Sequence, residues 1–217
     1  MNRAIDNRLN TLPTTWLSLS LFVLVSALVG CGETSQRADG GGVLASDAVN
    51  QELATTRPAF AELPASERAI VHLWLHADCA VGQDERRASL VRSGNRLELA
   101  FIEAFRMGPP KVFLGEISAI RREEYVAIQE GLKEADGLPF HVSIRKRLAA
   151  MTEESYLAEG INLTIRNYRL AALEGLKLVG SPKTLGWLDR TAPTLQDPEL
   201  VRASQATIEI LRGRRAP

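Results

Sequence analysis

The chain has 217 residues with 26 basic and 26 acidic side chains, so no net charge draws it to a polyanion such as nucleic acid. Hydrophobic residues make up 45% and charged residues 24%, the balance of an ordinary globular protein. Aromatic residues are only 6%, and Leu, Ala, Glu and Arg are common, which leans towards helix.

The first elements are export signals. Arg3 and Arg8 stand against a single Asp6, and the 15 residues from Trp16 to Gly30, WLSLSLFVLVSALVG, carry no charge. A bilayer-spanning helix needs about 20 apolar residues. A positive start, a short apolar run and small residues at its end therefore describe a secretory signal better than a permanent span. The run closes on Leu28-Val29-Gly30-Cys31, which resembles the lipobox of bacterial lipoproteins at all four positions. That resemblance implies removal of residues 1–30, a diacylglycerol on the Cys31 thiol and acylation of the new amino group. One acyl chain holds a protein only reversibly, at roughly 0.8 kcal/mol per buried methylene, and two or three hold it for long times. The implied address is the cell envelope, with the membrane as partner through lipidated Cys31. Gly32 stands where an Asp would favour inner-membrane retention, so in a Gram-negative cell the resemblance implies the outer membrane, facing the periplasm. Cys79 is then the one spare thiol, expected as a small buried apolar residue, with pairing to another molecule as the alternative.

Gly32 to Gln51 holds Gly40-Gly41-Gly42 and many small polar residues without a helical or strand period. Residues 31–64 are expected to form a flexible, disordered tether, and a coil of about 30 residues has an end-to-end distance of roughly 30 Å. Residues 65–213 are expected to form an all-helical domain.

Within that domain Ser66-Glu67 opens a helix to about Cys79, and Asp84 opens another that Gly94 closes. NRLELAFIEAFRM follows, with Leu97, Phe101, Ala104 and Phe105 on one face, and Gly108 with Pro109-Pro110 stops it. Val112 to Ala135 carries a stripe of Ile117, Ile120, Ile128 and Leu132. Arg121 and Glu124 fall on the same stripe, so either they pair half-buried or the helix breaks there, and the spacing leans towards a break. The longest signal runs from Thr152 to Gly180, where Leu157, Ile161, Ile165, Tyr168, Ala172, Leu176 and Val179 hold a helical period. Gly160 is expected to interrupt its first turns, and Gly180 suits the residue just past its end. Ser181-Pro182 and Asp197-Pro198 each read as an N-cap followed by the first helical residue. The last helix places Leu200, Ser204, Ile208 and Leu211 inwards.

Asn167 to Leu211 looks like HEAT-type helical repeats. Tyr168-Arg169 and Val201-Arg202 stand in the place of the apolar-Arg pair that enters a repeat's second helix, and Asp197-Pro198 matches the turn. The resemblance covers about a quarter of the chain, and the residues after Arg202 are shifted by one. It implies antiparallel helix hairpins stacked as a HEAT-like solenoid.

Chemistry is sparse. In HLWLHADC, His72, His76 and Cys79 fall within about a 60° sector of an ideal helix, opposite Ile70, Leu73, Trp74 and Ala77. Histidines four apart can chelate zinc. However, His72 and Cys79 are about 10 Å apart along the axis, and Leu73 occupies the position where a metalloprotease needs its Glu. The simpler reading is two histidines on a polar or packing face. Gly175 to Thr184 lacks the lysine of a phosphate loop, because Ser181 stands in its place. Arg212 to Arg215 forms a short basic tail. With no catalytic motif, no cofactor and no metal site are expected. The expected function is that of a lipid-anchored cell-envelope protein, not an enzyme, whose helical domain is a protein–protein interaction or scaffolding module. The alternative is a metal-dependent or hydrolytic enzyme using His72 and His76, which requires His141 or a carboxylate within reach.

Overall fold

Helix punctuation in the sequence becomes helix ends in the computed structural model, which describes residues 47–76, 82–134 and 142–214. The described helices are α1 (Asp47–Thr56), α2 (Pro58–Ala61), α3 (Ala65–Leu75), α4 (Gln83–Ser93), α5 (Glu98–Met107), α6 (Lys111–Glu134), α7 (Val142–Ala150), α8 (Glu153–Val179), α9 (Pro182–Thr191) and α10 (Pro198–Gly213). Among the described residues there is no strand, and the fold is all-α. The leader and Cys31 of the lipobox lie outside the described residues, as do Cys79 and His141.

Gly94 and Gly108 end α4 and the α5 helix with φ of 62° and 73°, a region that side chains with a Cβ disfavour. Pro182 and Pro198 open α9 and α10 behind capping side chains. Ser181 Oγ accepts from Lys183 N–H at 3.1 Å, and Asp197 Oδ1 accepts from Glu199 N–H at 2.9 Å. Thr152 Oγ1 caps α8 in the same way, at 3.2 Å from Ser155 N.

Three local expectations change. α6 does not break: Arg121 and Glu124 pair at 2.9 Å in a half-buried position, so the charges on the stripe satisfy each other. Gly160 does not interrupt α8 either. A Cβ there would lie 3.2–3.4 Å from Arg121 Nε, Cδ and Cγ, so the glycine makes the notch in which that arginine lies. Gly180 has an extended backbone, φ −66° and ψ 145°, rather than a left-handed one. It is small because a Cβ would meet the Leu176 carbonyl oxygen at 2.5 Å.

α8 is the shared partner of helices from along the chain: α3, α4, α5, α6 and α10 all pack on it. α5 and α6 run antiparallel to it, one after the other. Glu98 meets Ser181, Phe101 meets Gly175, Arg121 meets Gly160 and Arg122 meets Glu153. α10 runs parallel to the second half of α8, since Arg166 reaches Asp197 at one end and Arg214 reaches the Leu178 carbonyl at the other. The order α8, α9, α10 thus keeps the alternation of a helical-repeat stack. A helix shared by so many partners departs from the neighbour-only contacts of a solenoid. Phe101, Leu173, Leu176 and Leu188 form the centre of the core at 0% exposure.

The tether ends earlier than expected. Residues from Asp47 onward are helical, and Val49 and Leu53 of α1 and Phe60 of α2 are buried in the same core. Only two or three apolar side chains carry this packing, so no periodic signal announced it.

Carboxylates from distant helices close several helix starts. Glu98 Oε1 accepts from Ser181 N at 3.0 Å, Ser181 Oγ at 2.6 Å and Thr184 N at 2.9 Å, and also from Thr184 Oγ1, at the start of α9. Burial alone would raise the Glu98 carboxyl, but these donors outweigh it and hold it below the usual carboxylate range. Glu52 accepts from Lys111 N and Val112 N at 2.9 and 2.8 Å at the start of α6. Glu103 accepts from Phe60 N at 3.1 Å at the start of α2.

The α5–α8 contact depends on one missing methyl. A Cβ at Gly175 would sit 2.7 Å from two ring carbons of Phe101, a ring that is itself fully buried. Gly175→Ala is expected to destabilise the fold by about 1–3 kcal/mol through overpacking, against the helix propensity it gains. Gly115→Ala, on the open side of α6 with nothing within 4 Å, is expected to stabilise by about 0.5–1 kcal/mol. Urea unfolding of the two variants checks the opposite signs.

Candidate functional site

The histidine pair sits inside the protein. α3 turns Val71, His72 and Leu75 inwards and leaves Leu73 40% exposed. Two anchors set that rotation. Trp74 Nε1 donates to the Ala171 carbonyl of α8 at 2.8 Å, and Glu67 of α3 is buried against Arg96 at 3.0 Å. The helix ends at Leu75, with His76 at its C-cap.

The rings of His72 and His76 lie 4.2 Å apart, tilted by 45°. Phe113 of α6 meets His76 edge-on at 4.3 Å, and Tyr168 of α8 approaches at 5.3 Å. Arg57, between α1 and α2, is 3% exposed and closes the cluster. Its Nη1 donates to Tyr168 Oη at 3.3 Å, its Nη2 donates to the Gly108 carbonyl, and its guanidinium lies 5.8 Å from the Tyr168 ring centre. Arg57 Nε, His72 Nδ1, His76 Nε2 and Arg169 Nε are buried without a hydrogen-bond partner.

Burial lowers the pKa of His72. Burial, with the charges of His72 and Arg57 adding to it, lowers His76 to about 3. Tyr168 is raised to about 12, chiefly by burial. At neutral pH the pair is therefore two uncharged imidazoles beside a protonated phenol. Among the described residues no group of three His, Cys, Asp or Glu side chains could hold a metal ion. Arg57 is the side chain from another element whose charge acts on His76, and Glu103, whose charge acts on Tyr168, is occupied with the amides of α2. The arrangement packs aromatic surface and orders a carbonyl at the end of α5. An imidazole with a pKa near 3 is neutral at neutral pH and holds no imidazolium proton for general-acid chemistry.

The sequence singled out the histidines but not Arg57, which fell in the expected tether, nor the hydroxyl of Tyr168. Of the two glycines of the phosphate-loop look-alike, both expected to serve a helix cap, Gly180 does stand at the end of α8, but Gly175 lies inside the helix and makes room for Phe101. Arg212 and Arg214 of the basic tail are engaged, with Asp189 at 2.9 Å and with the Leu178 carbonyl at 3.2 Å.

A second candidate is the outer face of α6. Val112, Ala119 and Val126 recur every seven residues, and Glu116, Glu123 and Glu130 do the same. With Ile120 and Ala127 they span about 120° of the helix, and all eight are exposed. Val112, Ile120 and Val126 are 37%, 53% and 48% exposed. Ile120, placed on the inward stripe by spacing alone, points outwards. Leu114, Ile117, Arg121, Tyr125 and Ile128 on the other side are half-buried. The seven-residue interval was present in the sequence, but the inward stripe drew the reading.

No family model matches the chain, and no curated protein or solved structure matches it. No described helix is long and apolar enough to cross a membrane.

The histidine pair has a measurable consequence for stability. Both shifts are downward, so between pH 6.5 and 3 the unfolded chain binds protons that the folded chain refuses. Stability is complete above pH 6.5 and falls as the pH drops below it, by about 2 kcal/mol at pH 5 from His76 alone. The lowered carboxyls of Glu52, Glu98 and Asp197 titrate from 4.5, 4.5 and 3.8 downwards, so their contribution is lost mainly below about pH 5. The melting temperature is expected to fall by about 4–8 °C from pH 7.5 to 5. His76→Gln is expected to flatten the profile, and calorimetry across this range checks it.

Proposed function

We propose that the chain is a lipid-anchored envelope protein whose helical body binds another protein. The observation that carries the binding half is the outer face of α6. Singly exposed apolar residues are ordinary on a protein surface. Val112, Ile120 and Val126, spaced eight and six residues apart on one face of a 24-residue helix, group such residues as a contact surface does. The anchoring half rests on Leu28-Val29-Gly30-Cys31 and the uncharged run before it. The enzyme alternative gains no third ligand for His72 and His76 among the described residues.

Two measurements test the halves separately. Cells fed radioactive palmitate are expected to label the wild-type chain and not Cys31→Ser, and the variant is expected to leave the membrane fraction. An unlabelled wild-type chain would refute the anchor. Chemical cross-linking in intact cells, followed by purification of the full chain, is expected to bring down one reproducible protein. Absence of any reproducible adduct across cross-linkers of different length counts against the interaction module.

A further inference from the structure

We infer that the outer face of α6, where a heptad of glutamates lies between exposed valines and Ile120, docks a basic amphipathic helix of a partner protein. The inference rests on the interaction reading above and names its partner class. α6 has 24 residues and extends about 36 Å, long enough for a helix of several turns to lie along it. Val112, Ala119 and Val126 form one line, and Glu116, Glu123 and Glu130 form a second beside it. A partner helix with apolar residues at the same interval, flanked by Lys or Arg, meets both lines along their whole length.

Charge selects this occupant over the others. The outer sector carries no Lys or Arg at any of its positions. Arg122 on the flank is engaged with Glu153 at 2.8 Å, Arg121 on the inner side pairs with Glu124 at 2.9 Å, and Lys133 borders the sector only at the end of the helix. A second copy of α6 would set glutamates against glutamates, and an anionic lipid surface would meet the same repulsion. A helix with basic flanks is attracted, and its apolar positions cover Val112, Ile120 and Val126.

The test uses the full chain in discs of neutral lipid, with empty discs as the blank. The probe is a labelled three-heptad peptide with Leu on one face and Lys beside it, followed by fluorescence anisotropy. The same peptide with Glu in place of Lys is the control. The Lys peptide is expected to bind and the Glu peptide not to bind. Glu123→Lys with Glu130→Lys is expected to weaken binding about tenfold or more, as is Ile120→Asp. Glu209→Lys, on the exposed side of α10, is expected to leave it unchanged. Raising salt from about 0.05 to about 0.5 M is expected to weaken binding to the wild type and to have little effect on the doubly reversed variant. All substitutions are at exposed positions, and unchanged thermal melting shows that each variant is folded.

Equal binding of the Lys peptide to wild type and to both α6 variants would overturn the assignment to this face. Failure of both peptides to bind would overturn the basic-helix partner, while a reproducible cross-linked protein would leave the broader interaction reading standing. Sedimentation that shows self-association abolished by Ile120→Asp would make the occupant a second copy and overturn the proposal.

Discussion

A helix leaves unpaired N–H groups at its start and unpaired carbonyls at its end, and here other helices supply the partners. Glu98 of α5 closes the start of α9, Glu52 of α1 closes α6, and Glu103 of α5 closes α2. The ends are met by donors. Arg57 binds the Gly108 carbonyl, Arg214 the Leu178 carbonyl, Tyr125 the Met151 carbonyl just past α7, and Gln129 the Leu148 carbonyl. Each bond is charge-assisted or partly buried; those of Tyr125 and Gln129 tie consecutive helices, and the others tie elements that are not neighbours in the chain. Apolar packing brings the helices together around α8, and these contacts fix their register along it. A helix shifted by one turn would lose its cap as well as its packing.

How much of this was legible in the sequence follows from where the deciding interaction lies. Ser181-Pro182, Asp197-Pro198, Gly94 and Gly108 act within their own turn, so the helix ends they mark were readable. The half-buried Arg121–Glu124 pair read as a break because the sequence does not show that Gly160, far along the chain, leaves room for the arginine. α1 was missed for a similar reason. Val49 and Leu53 are too few to make a period, and only the core they enter holds them in place. Of the candidate site, the histidines were visible by type and spacing. Their inward direction was not, because Trp74 and Glu67 set the rotation of α3 through partners on other elements.

The two candidate sites differ in what charge does. Around His72 and His76 burial leaves neutral rings packed on Phe113 and Tyr168, beside the buried guanidinium of Arg57. Along α6 the protein has kept charge on the outside and placed apolar side chains beside it. The first pattern belongs to a group whose role is to fill and orient. The second belongs to a surface on which exposed apolar side chains and carboxylates stand side by side, the composition that a partner with apolar and basic groups would complement. The interior of this fold therefore fills and orients, and the outer face of α6 is the surface proposed for docking.

The early start of α1 bears on where the chain can be cut. A fragment beginning at residue 65 matches the boundary that composition suggests, yet it discards Val49 and Leu53, the Glu52 carboxylate over α6 and the Arg57 guanidinium over Tyr168. Loss of two buried aliphatic side chains alone costs about 3–6 kcal/mol, comparable with the whole margin of about 5–15 kcal/mol of a typical domain. The severed piece would also uncover the bare start of the very helix whose outer face is proposed for docking.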